Sequence, residues 1–568
     1  MKLNYFIAIQ LFLVFSLLHA EKSNDNFYKP YNVFHAPERY RWFAINENKE
    51  FRYPYEKLTF FKDGIDKKSV EVFIEDYINH LQRVLEEKGL IDHNLKIFFE
   101  KNIKIRKDFL LALSPEYDNH KKAIEVFNIL KKKDEKIFLK FYQLAIAFAV
   151  VYDNDDAVIS SRFSHIWGFE LDQFQKTQTY EELFAFYTHL SSQKYMHFKP
   201  EKLKWPFLVH VVDTDTNIEE MMWARKKYQK NRKKIPNSYY DITYDEQKLD
   251  TKQPNLWKVP YNIMNILKYN GICGDQSHYS TRIAKTFCIP AMKVSGAGRY
   301  GGYHSWGGFL TAINKKPRLK FIGRYRGDHY YTGDVFDPQT RTFVLDRSLA
   351  MLMEGVDRHY GNFMLAQLLG RISYTLREVK PNLAFKLCKY GLSLNSYAET
   401  CWEVIFRLIK NKKVSRSDSV EVMNQLFKGM KRHPDIAYKG LKALITSTED
   451  TESKLRQSFY KKLHSYWSKR PDLEIKMRIL QCNEMRDNDD VLEVLKLALN
   501  TCLFHVKESK LILPLIDIVV KITVKNNMEK KVVPYLKKIN NKFPKKRYNR
   551  PARAYGDFRK IVSPIVKL

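Results

Sequence analysis

The residues best suited to chemistry surround Cys273, in the segment Asn270-Gly271-Ile272-Cys273-Gly274. Glycines on both sides of the cysteine favour a tight turn, and Asp275 to Phe287 has the apolar spacing of a helix. Cys273 is therefore predicted at a helix start, where unpaired backbone N–H groups favour a negative charge. This position is expected to lower the pKa of the thiol and to bind the oxyanion formed during acyl transfer.

The second reactive group is His304, which lies in a glycine-rich stretch 31 residues after the cysteine. Strands are predicted at Ala291–Val294 and Tyr303–Leu310, and strand alternation puts His304 and Trp306 on one face. An imidazole there can take the thiol proton and return it to the leaving group. Cys273 and His304 are therefore predicted to react as a pair, with Trp306 shielding the site from water.

This combination resembles the transglutaminase-like superfamily. The pattern of that family is a Gly-x-Cys helix start, then a His-x-Trp strand, then an aspartate on a further strand. Gly271-Ile272-Cys273 and His304-Ser305-Trp306 match the first two elements. The resemblance covers a minor part of the chain. It implies an α+β core of papain-like arrangement, a thioester acyl-enzyme, and attack on that thioester by water or an amine.

The third member of the family pattern departs from its usual place. No aspartate occurs from Ser305 through Gly327, so a longer hairpin is required. Asp337 begins an Asp-Pro-Gln-Thr sequence that resembles the Asp-Pro-Thr element of the family, and Asp334 is the alternative. Asp337 is equally suited to opening a turn before proline. A backbone carbonyl or Asn314 would then have to orient the imidazole.

Other polar residues near the cysteine have simpler interpretations. Asp275 and Gln276 are predicted to cap the helix rather than to react, although Gln276, like the two glycines, would shape the site. His278 is a minor alternative base. Cys288 lies at the other end of the same helix, where the helix dipole disfavours a thiolate, and is predicted to belong to the core.

The elements around this core are predicted to be mostly helical. Residues 67–151 have helical periodicity, Tyr180–Ser191 is a predicted helix, and Asn217–Lys230 is a helix capped by Thr216 or Asn217. The apolar run Trp205–Asp213 is predicted to be a strand. Short helices return after residue 360 and favour an irregular helical-repeat array. The predicted divisions are a signal peptide at 1–20, a mostly helical region at 21–200, the catalytic core at 201–350 and the helical-repeat region at 351–568.

The net charge of +33 raises the question of an anionic partner. The strongest basic run is Arg225–Lys234, in which seven of ten residues are basic. Because 64 acidic residues are interspersed and no nucleic-acid motif accompanies the lysines, nucleic acid is not expected as the partner. An anionic envelope surface or an acidic substrate is preferred. The six cysteines lack the spacing of a disulfide scaffold or zinc site, and no calcium loop is evident, so no metal or cofactor is expected.

The first twenty residues are typical of a secretory signal peptide, with Lys2 before an apolar run from Phe6 to Leu18 and a small residue at Ala20. An uncleaved anchor is the alternative. No later run reaches the ~18 apolar residues of a membrane span, so no transmembrane helix is expected after cleavage. We expect a secreted, periplasmic or cell-envelope thiol enzyme acting on protein or peptide amides, with hydrolysis favoured over amine transfer. The alternative is a non-catalytic transglutaminase-like scaffold that binds a protein or an anionic envelope polymer through its helical array.

Overall fold

The computed structural model describes most of the chain, and the predicted signal peptide and nearly all of the lead-in after it lie outside the described residues. The described residues are 53, 61, 64–114, 117–154, 178–193, 195–247, 259–297, 303–313, 319–324, 333–448, 456, 458–460, 467, 470–485, 490–544 and 549–566. They are mostly helical, with one small antiparallel sheet, which is an α+β composition.

The described residues before residue 200 are mostly helical, as predicted. Asp66 begins the first helix by accepting the Ser69 N–H, and Phe73 and Leu81 are among the apolar residues of that helix that enter the core. The helices are α1 (Lys67–Glu87), α2 (His93–Lys101), α3 (Ile103–Ala112), α4 (His120–Lys133), α5 (Glu135–Val151) and α6 (Tyr180–Leu190).

The predicted strand at Trp205–Asp213 is wrong, because this run forms helix α7 (Trp205–Val212). Every residue of α7 is buried, so its apolar run does not alternate with polar residues and has no distinguishing period. Pro206 lies in the first turn, where a missing N–H costs little. Gln143 Oε1 accepts the Trp205 N–H at 2.8 Å, and α7 packs on α5.

Four further helical segments lead to the sheet. Helix α8 (Ile218–Tyr228) begins at Asn217, one of the two predicted caps, and is followed by a 3-10 segment (Gln229–Asp241). Helices α9 (Ile263–Tyr269) and α10 (Cys273–Thr286) come next. The predicted helix start at Cys273 is confirmed.

The sheet has the strand order β3-β2-β1-β4-β5. Strand β2 has the bounds predicted from the sequence. Two rows of aligned residues cross β2, β1 and β4, and they are His304–Gly296–Gly333 and Ser305–Ser295–Asp334. The strands are β1 (Ala291–Ala297), β2 (Tyr303–Leu310), β3 (Leu319–Ile322), β4 (Gly333–Phe336) and β5 (Phe343–Leu345).

The two faces of the sheet enter different cores. Phe309 packs with Ile283 of α10 on one face. Trp306, Val294 and Val335 lie on the other face, in the larger core shared with the helices. Helix α10 and Trp306 are therefore on opposite sides of β2.

Helices return after the sheet, as predicted. Helix α11 contacts β4 and β5 and packs on α12 and α13, while α16 to α20 contribute to a separate core. These helices are α11 (Asp346–Leu376), α12 (Pro381–Leu394), α13 (Glu399–Lys410), α14 (Arg416–Gly429), α15 (Pro434–Ser447), α16 (Pro471–Asn483), α17 (Val491–Phe504), α18 (Ser509–Lys525), α19 (Glu529–Lys542) and α20 (Asn549–Val562). Across the described ranges, none of the helices is both long and apolar enough to cross a membrane.

Candidate active site

The start of α10 is built by the residues that flank Cys273. Asp275 Oδ2 accepts the N–H of Ile272 at 2.8 Å, and its other oxygen accepts the Tyr261 hydroxyl at 2.9 Å. A Cβ at Gly271 would overlap the Asp275 carboxylate, so the glycine makes room for the cap. The predicted capping role of Asp275 is confirmed, and this cap fixes the first turn of the helix at Cys273.

The thiol of Cys273 is nearly buried, with 8% of the residue exposed. Burial raises the pKa of this thiol, while backbone hydrogen bonds from Ser305 and Gly274 and the Lys293 ammonium oppose the increase. The prediction of a lowered thiol pKa is therefore wrong for this structure, because loss of water outweighs the helix start. The N–H groups of Ser305 and Gly274 nevertheless lie beside the sulfur, where donors to an oxyanion would be required.

The imidazole of His304 is held by the backbone of the neighbouring strand segment. His304 Nε2 lies 2.6 Å from Gly323 O. Because a carbonyl oxygen only accepts, we infer that Nε2 carries the proton and that Nδ1 presents a lone pair. Burial lowers the pKa of His304, the Gly323 hydrogen bond opposes this, and Arg324 adds to it. The resting imidazole is therefore a neutral base.

Strand β3 ends at Ile322 opposite Gly307, so the first residues of β2, from Tyr303 to Trp306, have no β3 partner at this edge. Cys273 contacts this edge through the Ser305 N–H, and the His304 ring contacts it through Gly323. Tyr239 closes the edge by donating its hydroxyl to Ser305 O at 3.0 Å. The two predicted residues therefore meet β2 at the same edge, although strand alternation puts the His304 side chain on the face opposite α10.

Gly323 allows the Tyr239 ring to approach the backbone closely at this edge. Its φ of +87° is strained for any residue with a side chain, and a Cβ would overlap the ring of Tyr239. Trp306 packs beside His304, with the two ring centroids 5.9 Å apart, and Arg324 covers Trp306 at 4.9 Å. Trp306 is 1% exposed and lies on the face of β2 opposite α10, so its predicted shielding of the thiol stays a prediction.

The structure does not bring Asp337 to His304. Gly333 is in the row of His304, and Asp337 follows four residues later beyond the end of β4. With ~3.4 Å per residue and ~4.8 Å between strands, Asp337 is roughly 14 Å along and 10 Å across the sheet from the His304 row. Asp334 is nearer, in the row of Ser305, but strand alternation directs it to the opposite face from His304. Asn314 lies outside the described residues.

The Asp337 carboxylate instead builds a turn. Its Oδ1 accepts the N–H groups of Gln339 at 3.0 Å and Thr340 at 3.1 Å. The turn directs Gln339 Nε2 to Ala112 O at 2.9 Å, and its Arg341 forms a partly buried ion pair with Asp153. This is the turn role that the sequence left open, and it attaches the sheet to the N-terminal helices. The orientation of His304 falls to a backbone carbonyl, the other alternative.

The remaining predicted site residues are distributed along α10. Gln276 Nε2 donates to Ile242 O at 2.8 Å and joins the helix to the end of the 3-10 segment. His278 packs on Tyr261, and burial lowers its pKa to about 3. Cys288 is fully buried, so its predicted place in the core is confirmed. Gly274 contributes its backbone N–H to the thiol.

Sequence reasoning missed Lys293, a buried lysine of β1 on the face covered by α10. Its cross-strand neighbour is Gly307, which has no side chain to occupy the space beside the lysine. Burial lowers the pKa of Lys293 to about 7, while the Asp275 carboxylate and the Cys273 sulfur oppose the decrease. The sequence signal for this residue is a single cation within the otherwise uncharged strand Ala291–Ala297. Lys293 supplies a positive charge between the helix cap and the thiol.

A second buried ion network lies deeper under α10. Arg282 is paired with Asp215, and Lys285 with Asp213. Glu220 accepts the Ile263 N–H at 2.8 Å, and burial raises its pKa to about 7. The two ion pairs fix α10 on the segment that follows α7, and the Glu220 hydrogen bond joins α8 to α9.

In the part of the chain that the structure describes, no cluster of three His, Cys, Asp or Glu side chains is arranged to hold a metal ion. Comparison with protein-family models, with curated proteins and with solved structures finds no match for this chain.

Proposed function

We propose that this chain is an exported, transglutaminase-like thiol enzyme that acts on amide bonds of proteins or peptides through a Cys273 thioester. What supports the proposal is that a helix-start thiol and the His304 imidazole both meet the edge of β2 that β3 leaves unpaired. The N–H groups of Ser305 and Gly274 lie beside the thiol, and the neutral imidazole is held through Nε2 by Gly323 O, so proton transfer requires the imidazole to reach the sulfur around this edge.

The reaction begins with a proton transfer rather than from a preformed thiolate. His304 Nδ1 takes the proton of Cys273 as the sulfur attacks the amide carbon, and the Ser305 and Gly274 N–H groups stabilise the developing oxyanion. The C–N bond breaks and the imidazolium returns the proton to the leaving amine. Water then attacks the thioester, His304 takes its proton, and a carboxylic acid leaves as the thiol is restored.

Hydrolysis is favoured over amine transfer because water needs no binding site of its own, whereas an amine has to be held beside the thioester. The alternative function is a non-catalytic scaffold that binds a protein or an anionic envelope polymer through its helices. One observation favours this alternative, namely that burial raises the pKa of the Cys273 thiol and leaves it protonated in the resting chain.

The test is the trapping of an acyl-enzyme with p-nitrophenyl acetate, followed by peptide mapping of the acetyl group. We expect a burst of nitrophenolate and acetylation of Cys273 in the native chain, slow acetylation in His304→Ala, and none at this position in Cys273→Ala. Cys288→Ala is the matched control, because it removes the cysteine at the other end of α10 and should leave the burst unchanged. A burst that survives Cys273→Ala would refute the proposal.

The fate of the trapped acetyl group distinguishes the two half-reactions. Its loss is measured with and without a primary amine such as cadaverine. Release as acetate at an unchanged rate supports hydrolysis, while formation of the acetylated amine supports transfer.

A further inference from the structure

The basic run Arg225–Lys234 contains two sets of side chains, one that points into the protein and one that points into solvent. Its two arginines face inward: Arg225 Nη2 donates to Gln193 Oε1 at 2.9 Å, and Arg232 Nη1 donates to Met196 O at 3.0 Å. Its lysines are all exposed, and we name them the lysine patch: Lys226, Lys227, Lys230, Lys233 and Lys234. The arginines anchor the segment and the lysines face solvent.

The positive charge of the lysine patch is not neutralised locally. No aspartate or glutamate occurs from Met221 to Tyr240. None of the five lysines forms an ion pair with a carboxylate among the described residues, although Lys227 lies over the rings of Trp223 and Tyr228. Lysines elsewhere on the surface, such as Lys67 with Glu71, do form such pairs. An ordinary protein surface mixes positive and negative charges, whereas this patch carries positive charges only.

The segment that carries the lysine patch also forms a wall of the candidate active site. Tyr228 bonds Tyr279 of α10 at 2.7 Å, and Tyr239 bonds Ser305 O beside the thiol. At ~2 Å rise per residue of 3-10 helix, Lys234 is roughly 10 Å from Tyr239. An extended peptide covers that distance in about three residues. A substrate bound beside Tyr239 can therefore reach the nearest lysine of the patch.

Exposed tyrosines continue this surface towards the nucleophile. Tyr240 is 63% exposed, and Tyr244 and Tyr269 are each 37% exposed. Tyr244 forms a β-bridge with Gly271, two residues before the reactive cysteine. Aromatic rings of this kind offer a peptide flat apolar contacts with a polar edge.

We propose that the lysine patch and these tyrosines form the docking surface for an acidic polypeptide substrate, whose acidic residues lie at least about three positions from the reacting amide. The proposal rests on the proposed function, because an enzyme that acts on amide bonds at Cys273 would take an acidic polypeptide rather than another polyanion. It names the substrate class of that site.

Docking is tested separately from turnover by working in the Cys273→Ala chain. The probe is a fluorescein-labelled oligoglutamate peptide, with an oligoglutamine peptide of the same length for comparison, and binding is followed by anisotropy at several salt concentrations. The test variant is K230E/K233E/K234E. The matched control is K530E/K531E/K537E, which makes the same change of net charge at exposed lysines of α19 in the separate C-terminal core.

We expect the test variant to bind oligoglutamate about tenfold more weakly, since each of three exposed charge contacts is worth a few-fold. The control variant should bind as the parent does, and binding should weaken with salt. Equal weakening in both variants would overturn the proposal, because net charge alone would then explain it. Tighter, patch-dependent binding of polyuridylate would overturn it in favour of a nucleic-acid surface.

A second readout connects the lysine patch to the site. In the native chain, oligoglutamate should slow iodoacetamide labelling of Cys273, and the test variant should lose this protection. Because these readouts need no turnover, they fail independently of the acyl-enzyme experiment.

Discussion

Replacement of Gly323 by alanine separates two costs that are usually confounded. The first is backbone strain, because φ of +87° is unfavourable for alanine by about 1 to 2 kcal/mol. The second is a collision, since the new Cβ would overlap the Tyr239 ring. Relief of such overpacking costs about 1 to 3 kcal/mol. We therefore expect Gly323→Ala to lower the free energy of unfolding by about 2 to 5 kcal/mol.

Gly89→Ala is the matched control for strain alone. Gly89 also has a positive φ, of +68°, but a Cβ there meets no atom within 4 Å. We expect this variant to lose only the about 1 to 2 kcal/mol of strain. The difference between the two variants, measured by urea denaturation, isolates the contact with Tyr239.

The same substitution should also affect the chemistry. Movement of Tyr239 and Gly323 displaces the Ser305 carbonyl and the acceptor of His304 Nε2. Acetylation of Cys273 should therefore slow in Gly323→Ala and remain normal in Gly89→Ala. Equal losses of stability with an unchanged acetylation rate in both would refute the assignment of Gly323 as the residue that orients His304.

Four further outcomes follow from the buried groups of the site. Cys273→Ala should abolish acetyl turnover while lowering the free energy of unfolding by no more than about 1 to 2 kcal/mol; a larger loss in denaturation would mark the thiol as packing. Lys293→Met should shift the inflection of Cys273 iodoacetamide labelling to higher pH, because the ammonium favours the thiolate; an unshifted profile would remove Lys293 from the site. Asp337→Ala should cost about 1 to 3 kcal/mol, from its two backbone hydrogen bonds, with the labelling profile unchanged; a shifted profile would restore it as the partner of the imidazole. Burial raises the pKa of Glu220 to about 7, so the folded state is favoured while this carboxyl is protonated. The resulting stability, of about 3 kcal/mol, is lost as pH rises from about 4.5 through 7. Glu220→Gln should flatten the plot of unfolding free energy against pH in this range, and an unchanged slope would contradict this assignment.

Much of the local structure around the site could be predicted from the sequence. The glycines beside Cys273 and the Asp275 cap have strong local preferences, and both ends of β2 were predicted to the residue. The run from Trp205 was misassigned because burial on all sides removes the periodicity that separates a helix from a strand.

The orientation of His304 could not be predicted, for a different reason. A carbonyl such as that of Gly323 belongs to every residue type, so it leaves no signature in a sequence. The sheet order also places β3 beside β2 and β4 beside β1, on opposite sides of the central hairpin. That choice separates Asp337 from the imidazole, and nothing in the local sequence specifies it.

The turn at Asp337 has a consequence for how this protein can be divided. Its Gln339 and Arg341 contact Ala112 and Asp153, so the sheet reaches into residues far earlier in the chain. A fragment cut to residues 201–350 would keep both groups of the reacting pair but would leave the Arg341 guanidinium without its carboxylate partner. The shortest fragment that contains both Cys273 and His304 is therefore shorter than the shortest fragment that we expect to fold stably.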